Sequence, residues 1–301
     1  MVMAKMHAHQ IDVTDDDARR LVATQFPQWA HESVRRVPSY GTTNAMFKLG
    51  ADKVVRLPFI PGDGVGVPVE TAILERIGDE LPVAVPRVLA TGRPDERYPY
   101  TWNVLSWVEG EMPVPEALVD AAGLADDLID VLARLRELPT EGVRVAQRGG
   151  TLAPLADPVH DTMSELDGEF DTDALHRLWD DALGAPLWPG DPVWLHADLL
   201  PSNLLVDGRG RLAGLIDWAA AGVGDPSCEL LAAWNVFPAE SRALFRERLE
   251  ARLGLDDATW RRGRGWAISQ AVLALPYYRA TNAGMVEMAT RALRALEQES
   301  V

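Results

Sequence analysis

Residues 194–218, WLHADLLPSNLLVDGRGRLAGLIDW, carry the most informative pattern in the 301-residue sequence. Two short apolar runs, at 204–206 and 212–216, are separated by the turn-forming sequence DGRG, which predicts an antiparallel hairpin. Asn203 lies directly before the first run and Asp217 directly after the second. The hairpin can therefore return the chain so that Asp217 comes to lie beside Asn203.

The polar side chains of this stretch match the requirements of phosphoryl transfer. That reaction needs a proton acceptor beside the attacking hydroxyl and hard oxygen ligands for a magnesium ion. In the pattern H-x-D-x-x-x-x-N, Asp198 can accept the proton and Asn203 can offer its carbonyl oxygen to the metal. The carboxylate of Asp217 would be a second metal ligand. A single loop aspartate more often caps a turn, but the three residues at this spacing favour a catalytic site.

This spacing, with the following DWA and the sequence GDPSCEL at 224–230, resembles the aminoglycoside phosphotransferase family of antibiotic and small-molecule kinases. The resemblance extends over residues 37–278 and is most specific at 194–231. It implies a protein-kinase-like fold in which His196 supports the catalytic loop by hydrogen bonding and takes no part in the chemistry. It also implies that Asp225 is a buried, architectural residue that braces this loop.

The N-terminal part of the chain matches the family at the strand that carries a phosphate-binding lysine. In KVVRL, residues 53–57, the matching position is Arg56. An arginine can donate to two phosphate oxygens, although its reach and geometry differ from those of lysine. Glu70, in the first turn of the following helix, is the expected partner of Arg56, and Glu75 is the alternative. The competing interpretation of Glu70 is an exposed side chain stabilised by the helix dipole.

Two backbone segments of the N-terminal part are expected to contact the nucleotide. The loop SYGTTN at 39–44 lies between two predicted strands, where its amides and threonine hydroxyls would meet phosphates. A glycine-containing hairpin turn is the other interpretation of this loop. The linker 103–110 would bind the purine edge through its backbone. The nucleotide contacts that the resemblance implies are Gly41, Thr42, Thr43, Asn44, Ser106 and Val108.

The acceptor-binding side of the site is expected in the helical region after the catalytic loop. Aromatic side chains suit a sugar ring or a macrolide, and carboxylates suit an amine-rich ligand. Taken singly, each such residue is more often part of a packed core than a ligand contact. The candidates are Glu229, Trp234, Tyr277 and Tyr278, with Asn235 and Asn282 as further positions.

Periodicity along the chain predicts an α+β fold with two lobes. A Gly- and Pro-rich link at 61–66 and a helix at 69–77 interrupt the five strands of an antiparallel sheet. We expect a small nucleotide-binding lobe at 1–106 and a larger, mostly helical catalytic and substrate-binding lobe at 107–301. The strands expected in the small lobe are 33–39, 44–49, 53–57, 86–91 and 102–108. The long helices expected in the large lobe are 116–138, 172–183, 240–253, 257–275 and 282–297.

Composition restricts the class of protein. The formal net charge of −16 disfavours a nucleic-acid partner, because no basic surplus exists to neutralise a phosphate backbone. The acidity would either steer a cationic ligand to the protein or only solvate the surface. A single cysteine, Cys228, excludes an intramolecular disulfide and a zinc site built from cysteines. No apolar run has membrane-spanning length and no signal-peptide core is seen, so we expect a cytoplasmic protein without a membrane partner.

Together these features predict a nucleotide-dependent phosphotransferase with an alcohol group as acceptor. The hypothesis is that the γ-phosphate of ATP or GTP passes, with Mg²⁺ as cofactor, to a hydroxyl of a small molecule such as an aminoglycoside or macrolide antibiotic. A metabolic kinase acting on choline, homoserine or a sugar is one alternative. A catalytically silent nucleotide-binding protein of the same fold is the other, because Arg56 replaces the expected lysine.

Overall fold

The computed structural model describes residues 5–7, 9–38, 41–61 and 63–299, with only the backbone described at 63–65. The chain forms two compact units. The first comprises Met1–Glu80 and Ala84–Glu109, and the second comprises Leu81–Val83 and Gly110–Val301.

The first unit contains five strands: Val34–Arg36 (β1), Asn44–Leu49 (β2), Lys53–Pro58 (β3), Val88–Gly92 (β4) and Trp102–Ser106 (β5). They form one antiparallel sheet with the order β1-β2-β3-β5-β4. Gly50, at a φ of 61°, opens the tight turn between β2 and β3, in a conformation that glycine adopts without strain. The sheet confirms the predicted five-stranded architecture, although β1 is shorter than expected.

A first helix, Asp15–Gln25 (α1), covers the core of this unit. Its Leu21 and Val22 belong to the same buried cluster as Phe47, Leu57 and Trp102 of the sheet, and each of these side chains is at most 1% exposed. All six residues of β3 are buried. Any charged residue on β3 therefore needs a partner, because an unpaired buried charge is strongly unfavourable.

The second helix of this unit, Asp63–Ile77 (α2), begins earlier than the sequence indicates. The expectation of a link at 61–66 and a helix from 69 is wrong, because the helix already includes residues 63–66 and runs through Pro68. Proline lacks one N–H, but near the start of a helix few backbone bonds depend on it. Gly62 of the expected link lies outside the described residues.

The second unit is mainly helical. Its helices are Ala121–Glu137 (α3), Ala156–Met163 (α4), Thr172–Leu183 (α5), Ala232–Asn235 (α6), Ala239–Leu253 (α7), Asp257–Tyr278 (α8) and Ala283–Glu297 (α9). The helix expected from 116 starts instead at Ala121, because the Asp120 side chain caps it by accepting from the Gly123 N–H. Helices α4 and α6 have no counterpart in the sequence prediction, whereas α5, α7, α8 and α9 confirm it. Among the described residues, no helix is both long and apolar enough to cross a membrane.

Two small antiparallel pairs of strands complete the second unit. They are Val193–Leu195 (β6) with Gly222–Gly224 (β9), and Leu204–Val206 (β7) with Leu212–Leu215 (β8). The β7–β8 pair confirms the predicted hairpin. The sequence does not predict β9, because two of its three residues are glycines. Both glycines pack against neighbouring backbone, since a Cβ on Gly222 or Gly224 would come within 2.6 Å of a backbone atom.

Candidate active site

The loop between β6 and β7 brings Asp198 and Asn203 into direct contact. Asn203 donates from Nδ2 to Asp198 Oδ2 at 2.9 Å and to the Asp198 carbonyl at 2.8 Å. The Asp198 side chain is 21% exposed, whereas Asn203 is buried. The expected proton acceptor is therefore held by a neighbouring amide and remains reachable from solvent.

Two unusual backbone conformations mark the same region. Ala197, with φ 65°, and Asp217, with φ 63°, are the only non-glycine residues with positive φ in the described part of the chain. The left-handed conformation costs such residues about 1–2 kcal/mol and persists only where surrounding contacts impose it. Both residues lie in the segments to which the sequence assigns chemistry, which supports a functional site here.

The β7–β8 hairpin returns the chain to Asn203 directly before Asp217. The Ile216 N–H donates to the Asn203 carbonyl at 3.0 Å, and His196 Nε2 donates to the Ile216 carbonyl at 3.0 Å. His196 is fully buried, and burial lowers its pKa, which favours the neutral ring. Because a carbonyl only accepts, the neutral ring carries its proton on Nε2. These contacts fit the scaffold role expected for His196.

Glu229 supports the strained residue before Asp198. Its Oε1 accepts from the Ala197 N–H at 2.9 Å, and the residue is only 2% exposed. Desolvation raises the pKa of Glu229 to about 7. The structure does not support the acceptor-binding role expected for Glu229, because its carboxylate is buried against the backbone of the catalytic loop.

Arg148 is a candidate functional residue that the sequence reasoning missed. Its Nη1 donates to Asp198 Oδ1 at 2.5 Å and to the Ala197 carbonyl at 3.0 Å. The charge of Asp198 is the main cause that raises the pKa of Arg148. No local signal marks this arginine, because it lies 50 residues before Asp198 and meets it only through folding.

Asp225 makes structural contacts with Arg262 and Ser227, and its expected bracing of the catalytic loop stays a prediction. Its carboxylate pairs with Arg262 of α8 at an Nε–Oδ2 distance of 2.6 Å, and both side chains are at most 12% exposed. Its Oδ1 also accepts from the Ser227 N–H at 2.9 Å. The ion pair therefore ties the segment after β9 to the longest helix of the unit.

Three further candidates for acceptor binding have structural contacts instead. Trp234 is 1% exposed and packs against Trp260 with ring centroids 4.9 Å apart. Asn235 donates to the carbonyl of Leu231, the residue before α6, and Asn282 caps α9. The structure therefore does not support an acceptor contact for Trp234, since its ring belongs to the core.

The two tyrosines at the end of α8 are placed differently. Tyr277 is 56% exposed, and the ring of Tyr278 meets it edge to face at a centroid distance of 4.8 Å. Tyr278 also lies close enough to Arg148 to interact with its charge. These tyrosines remain candidates for acceptor binding, since one is accessible and the other lies near the arginine that contacts Asp198.

In the first unit, Arg56 of β3 forms a buried ion pair with Glu70 of α2. The two side chains are 7% and 2% exposed, and Arg56 Nη1 donates to Glu70 Oε2. With the Asn44 amide oriented so that its oxygen faces Arg56, that oxygen accepts from Nη2 at 2.9 Å and from Nε at 3.1 Å. Glu75 is exposed. The predicted Arg56–Glu70 pair is therefore confirmed, and the alternative partner is wrong.

The expected phosphate loop lies between β1 and β2. Two of its residues lie outside the described part of the chain, Ser39 and Tyr40. The Thr43 carbonyl accepts at 2.9 Å from the N–H that follows β3, and the Thr42 carbonyl makes a 2.6 Å hydrogen bond with His7 Nε2. The loop is thus anchored through its carbonyls, and phosphate binding by Gly41 and its neighbours stays a prediction.

The segment expected to bind the purine edge begins at the end of β5. The Ser106 N–H donates to the Arg87 carbonyl at 2.8 Å, and Ser106 Oγ accepts from the Arg87 N–H at 2.8 Å. The backbone of Val108 makes no hydrogen bond to any described residue. The N–H of Ser106 is used by Arg87, and nucleotide contacts of Ser106 and Val108 stay a prediction.

Asn203 and Asp217 offer oxygen donors of the kind that Mg²⁺ prefers. The amide nitrogen of Asn203 is used by Asp198, and Ser202 Oγ approaches the amide oxygen only at 3.5 Å. Within the described ranges, no group of three or more His, Cys, Asp or Glu residues could hold a metal ion. Such a sparse set fits Mg²⁺, which keeps several waters and commonly binds one or two carboxylates together with substrate phosphates.

A sheet unit with a buried arginine–glutamate pair and a helical unit with an H-x-D-x-x-x-x-N loop define the protein-kinase-like class of folds. Residues 33–266 match the phosphotransferase enzyme family, and the chain therefore belongs to this family. The resemblance noted from the sequence and the predicted fold class are both confirmed.

Three relatives illustrate the similarity. Aminoglycoside 3′-phosphotransferase of Escherichia coli is 33% identical to this chain over 146 residues. The match covers 44% of this chain and 50% of that protein. A structure of the GDP and kanamycin complex of APH(2″)-IIIa matches with a TM-score of 0.72 at 19% identity, covering 94% of this chain and 98% of that one. The structure of macrolide 2′-phosphotransferase type I matches with a TM-score of 0.63 at 21% identity, covering 94% of this chain and 98% of that one. The chain spans a third to a half of the length of the curated relatives that it matches.

Proposed function

We propose that the protein transfers the γ-phosphate of ATP or GTP to a hydroxyl of a small molecule, namely an antibiotic such as an aminoglycoside or a macrolide. The observation that carries this proposal is the contact between Asp198 and Asn203 beside the strained residues Ala197 and Asp217. Strained backbone of this kind clusters at functional sites. Membership of the phosphotransferase enzyme family supports the same type of reaction.

Asp198 is the proposed proton acceptor. Arg148 donates to its Oδ1 and Asn203 donates to its Oδ2. Because each carboxylate oxygen has two lone pairs, both retain capacity for the proton of an acceptor hydroxyl. The partial exposure of Asp198 leaves room for that hydroxyl to approach.

Asn203 and Asp217 are the proposed ligands of Mg²⁺. Asn203 would bind through its amide oxygen, since the nitrogen holds Asp198. Asp217, whose backbone has a φ of 63°, would bind through its carboxylate. When bound, the ion neutralises charge on the β- and γ-phosphate oxygens.

The first unit is proposed to bind the nucleotide. Glu70 and Asn44 hold Arg56, and an arginine there can donate to two phosphate oxygens. The intact Arg56–Glu70 pair favours this function over a catalytically silent protein. The solved relative in complex with GDP supports the use of a nucleotide. We accordingly assign nucleotide binding to 1–106, and catalysis and acceptor binding to 107–301.

The acceptor class is inferred from the relatives and from charge. Aminoglycosides and macrolides appear in the names of the relatives. The net charge of −16 favours an amine-rich acceptor, and the exposed ring of Tyr277 offers a surface for a sugar or a cation. The proposed acceptor is therefore a cationic antibiotic that carries hydroxyl groups.

Replacing Asp198 tests the catalytic assignment. Asp198→Ala should lower turnover by roughly 10²- to 10⁴-fold, because the general base is lost. It should leave the thermal shift caused by the nucleotide and Mg²⁺ unchanged. Asp173→Ala, at an exposed position of α5, is the matched control and should have the turnover of the wild type. An Asp198→Ala variant with wild-type turnover would refute the proposal.

A screen for the acceptor tests the substrate class. The protein would be incubated with Mg²⁺, with ATP or GTP, and with aminoglycosides, macrolides, peptide antibiotics, choline or homoserine. Mass spectrometry then detects the gain of one phosphoryl group. Modification of choline or homoserine instead of an antibiotic would select the metabolic alternative. A nucleotide-induced thermal shift without phosphorylation of any compound would select the catalytically silent nucleotide-binding protein.

A further inference from the structure

Arg148 lies in a segment that the second unit fixes on both sides. The Ala146 N–H donates to the Val223 carbonyl of β9 at 3.0 Å, and the Gly149 carbonyl accepts from the Asp225 N–H at 2.7 Å. Gly149 has φ 115° and packs so closely that a Cβ there would lie 2.4 Å from a side-chain atom of β6. Backbone contacts therefore determine that Arg148 lies beside the catalytic loop.

Arg148 supplies a positive charge that the catalytic segments themselves do not contain. Neither 196–203 nor 217–229 includes a lysine or an arginine. The proposed reaction nevertheless brings the phosphates of a nucleotide to Asp198 and Asp217, which concentrates negative charge. Arg148, with Nη1 at 2.5 Å from Asp198 Oδ1, is a cation placed at this point.

The guanidinium group of Arg148 has one edge that is used and one that is available. Nη1 makes the contacts to Asp198 and to the Ala197 carbonyl. Nε and Nη2 have no hydrogen-bond partner among the described residues, and the side chain is 31% exposed. Arginine stays protonated and presents its five N–H donors in a planar fork. An anionic oxygen that approaches Asp198 would therefore meet available donors.

We propose that Arg148 is a further catalytic residue, which binds the transferring phosphoryl group through Nε and Nη2 while Nη1 holds Asp198. This inference rests on the proposed function. The acceptor oxygen forms a bond to the γ-phosphorus, and the bond from that phosphorus to the β–γ bridging oxygen breaks. The acceptor proton passes to Asp198, and the nucleoside diphosphate leaves with the electron pair. Negative charge spreads over the three equatorial oxygens in the transition state, where an arginine stabilises it.

Three substitutions at this position separate its roles. Arg148→Gln removes the charge, Arg148→Lys keeps the charge without the fork, and Arg148→Ala opens space for a guanidinium ion. Arg144→Gln is the matched control, because it makes the same change at an exposed position of the same segment. The probes are MgATP and MgGTP alone, since their slow hydrolysis transfers the phosphoryl group to water. Single-turnover phosphate release gives the rate, and thermal-shift titration gives the nucleotide dissociation constant.

Arg148→Gln should lower the hydrolysis rate on the order of 10²-fold, and Arg148→Lys about tenfold, with the nucleotide dissociation constant changed less than about threefold. Added guanidinium should restore part of the activity of Arg148→Ala, which a purely structural role would not allow. An Arg148→Gln rate equal to that of Arg144→Gln would overturn the inference. So would a loss explained entirely by weaker nucleotide binding, or a loss in Arg148→Ala that guanidinium does not relieve. A wild-type protein that transfers the phosphoryl group neither to water nor to any compound of the acceptor screen would overturn the proposed function and this inference with it.

Discussion

At the scale of single residues, Glu229 is a buried acid whose ionisation is linked to folding. Its Oε1 accepts from the Ala197 N–H, and its Oε2 has no hydrogen-bond partner among the described residues. Removal from water disfavours the charged form, which raises the pKa from the ordinary 4.5 to about 7. The residue that supports the catalytic loop is therefore partly protonated near neutral pH.

We predict that Glu229 makes the protein less stable as the pH rises from 4.5 to 7. Below pH 4.5 the group is protonated in both states, and between these values only the unfolded chain loses the proton. In this range the folded state binds more protons than the unfolded chain, so the free energy of unfolding falls as the pH rises. The fall amounts to about 3 kcal/mol by about pH 7. Urea denaturation should show this extra pH dependence in the wild type and not in Glu229→Gln. Parallel curves for the two proteins would contradict the prediction.

The residues of the candidate site differ in how far the sequence reveals them. Asp198, Asn203 and Asp217 lie within 20 positions of each other, so a loop and a hairpin suffice to relate them. Arg148 reaches Asp198 from 50 positions away. The sequence indicates Glu229 as a candidate for acceptor binding, but its partner, the Ala197 N–H, has no signature in a sequence. Contacts made through tertiary folding were therefore missed or misassigned.

At the scale of elements, α8 packs closely against the segment that carries Asp225 and Glu229. A Cβ on Gly263 would lie 2.5 Å from Leu230 Cβ and 2.9 Å from the Ser227 carbonyl oxygen. Protein interiors are packed too densely for such an overlap to be absorbed without movement. Glycine at this position of α8 is therefore a packing requirement.

Replacing helical glycines by alanine should have opposite effects at two positions. Gly263→Ala should lower the free energy of unfolding by about 1–3 kcal/mol, because the added methyl group overpacks the contact. Gly66→Ala, in α2, meets nothing within 4 Å and should raise the free energy of unfolding by about 0.5–1 kcal/mol. Urea denaturation of both variants measures the difference. Equal stabilisation by the two changes would show that α8 does not pack as described.

At the scale of the whole molecule, the dominant electrostatic property is the excess of acidic residues. The chain contains 45 Asp and Glu against 29 Lys and Arg. An excess of one sign attracts ligands of the opposite sign, and dissolved salt screens this attraction. If the acidity serves only to solvate the surface, association with a cationic acceptor will not depend on salt in this way.

The steering interpretation predicts a salt dependence for any aminoglycoside that the screen identifies as an acceptor. Its kcat/KM should fall roughly tenfold between about 0.01 M and 0.3 M salt, because long-range attraction is screened. Steady-state kinetics at constant pH measure the effect, with sucrose at equal osmolality as the control. If salt and sucrose act alike, the acidic surplus only solvates the protein.

The sequence by itself determined the family, the fold class, the hairpin and the spacing of the candidate catalytic residues. These depend on local order: turn residues, strand alternation and helix periodicity operate over a few neighbouring positions. Tertiary structure decided between Glu70 and Glu75 as the partner of Arg56, placed Glu229 and Trp234 in the interior, and brought Arg148 to Asp198. These facts depend on which surfaces pack together, which no local pattern specifies.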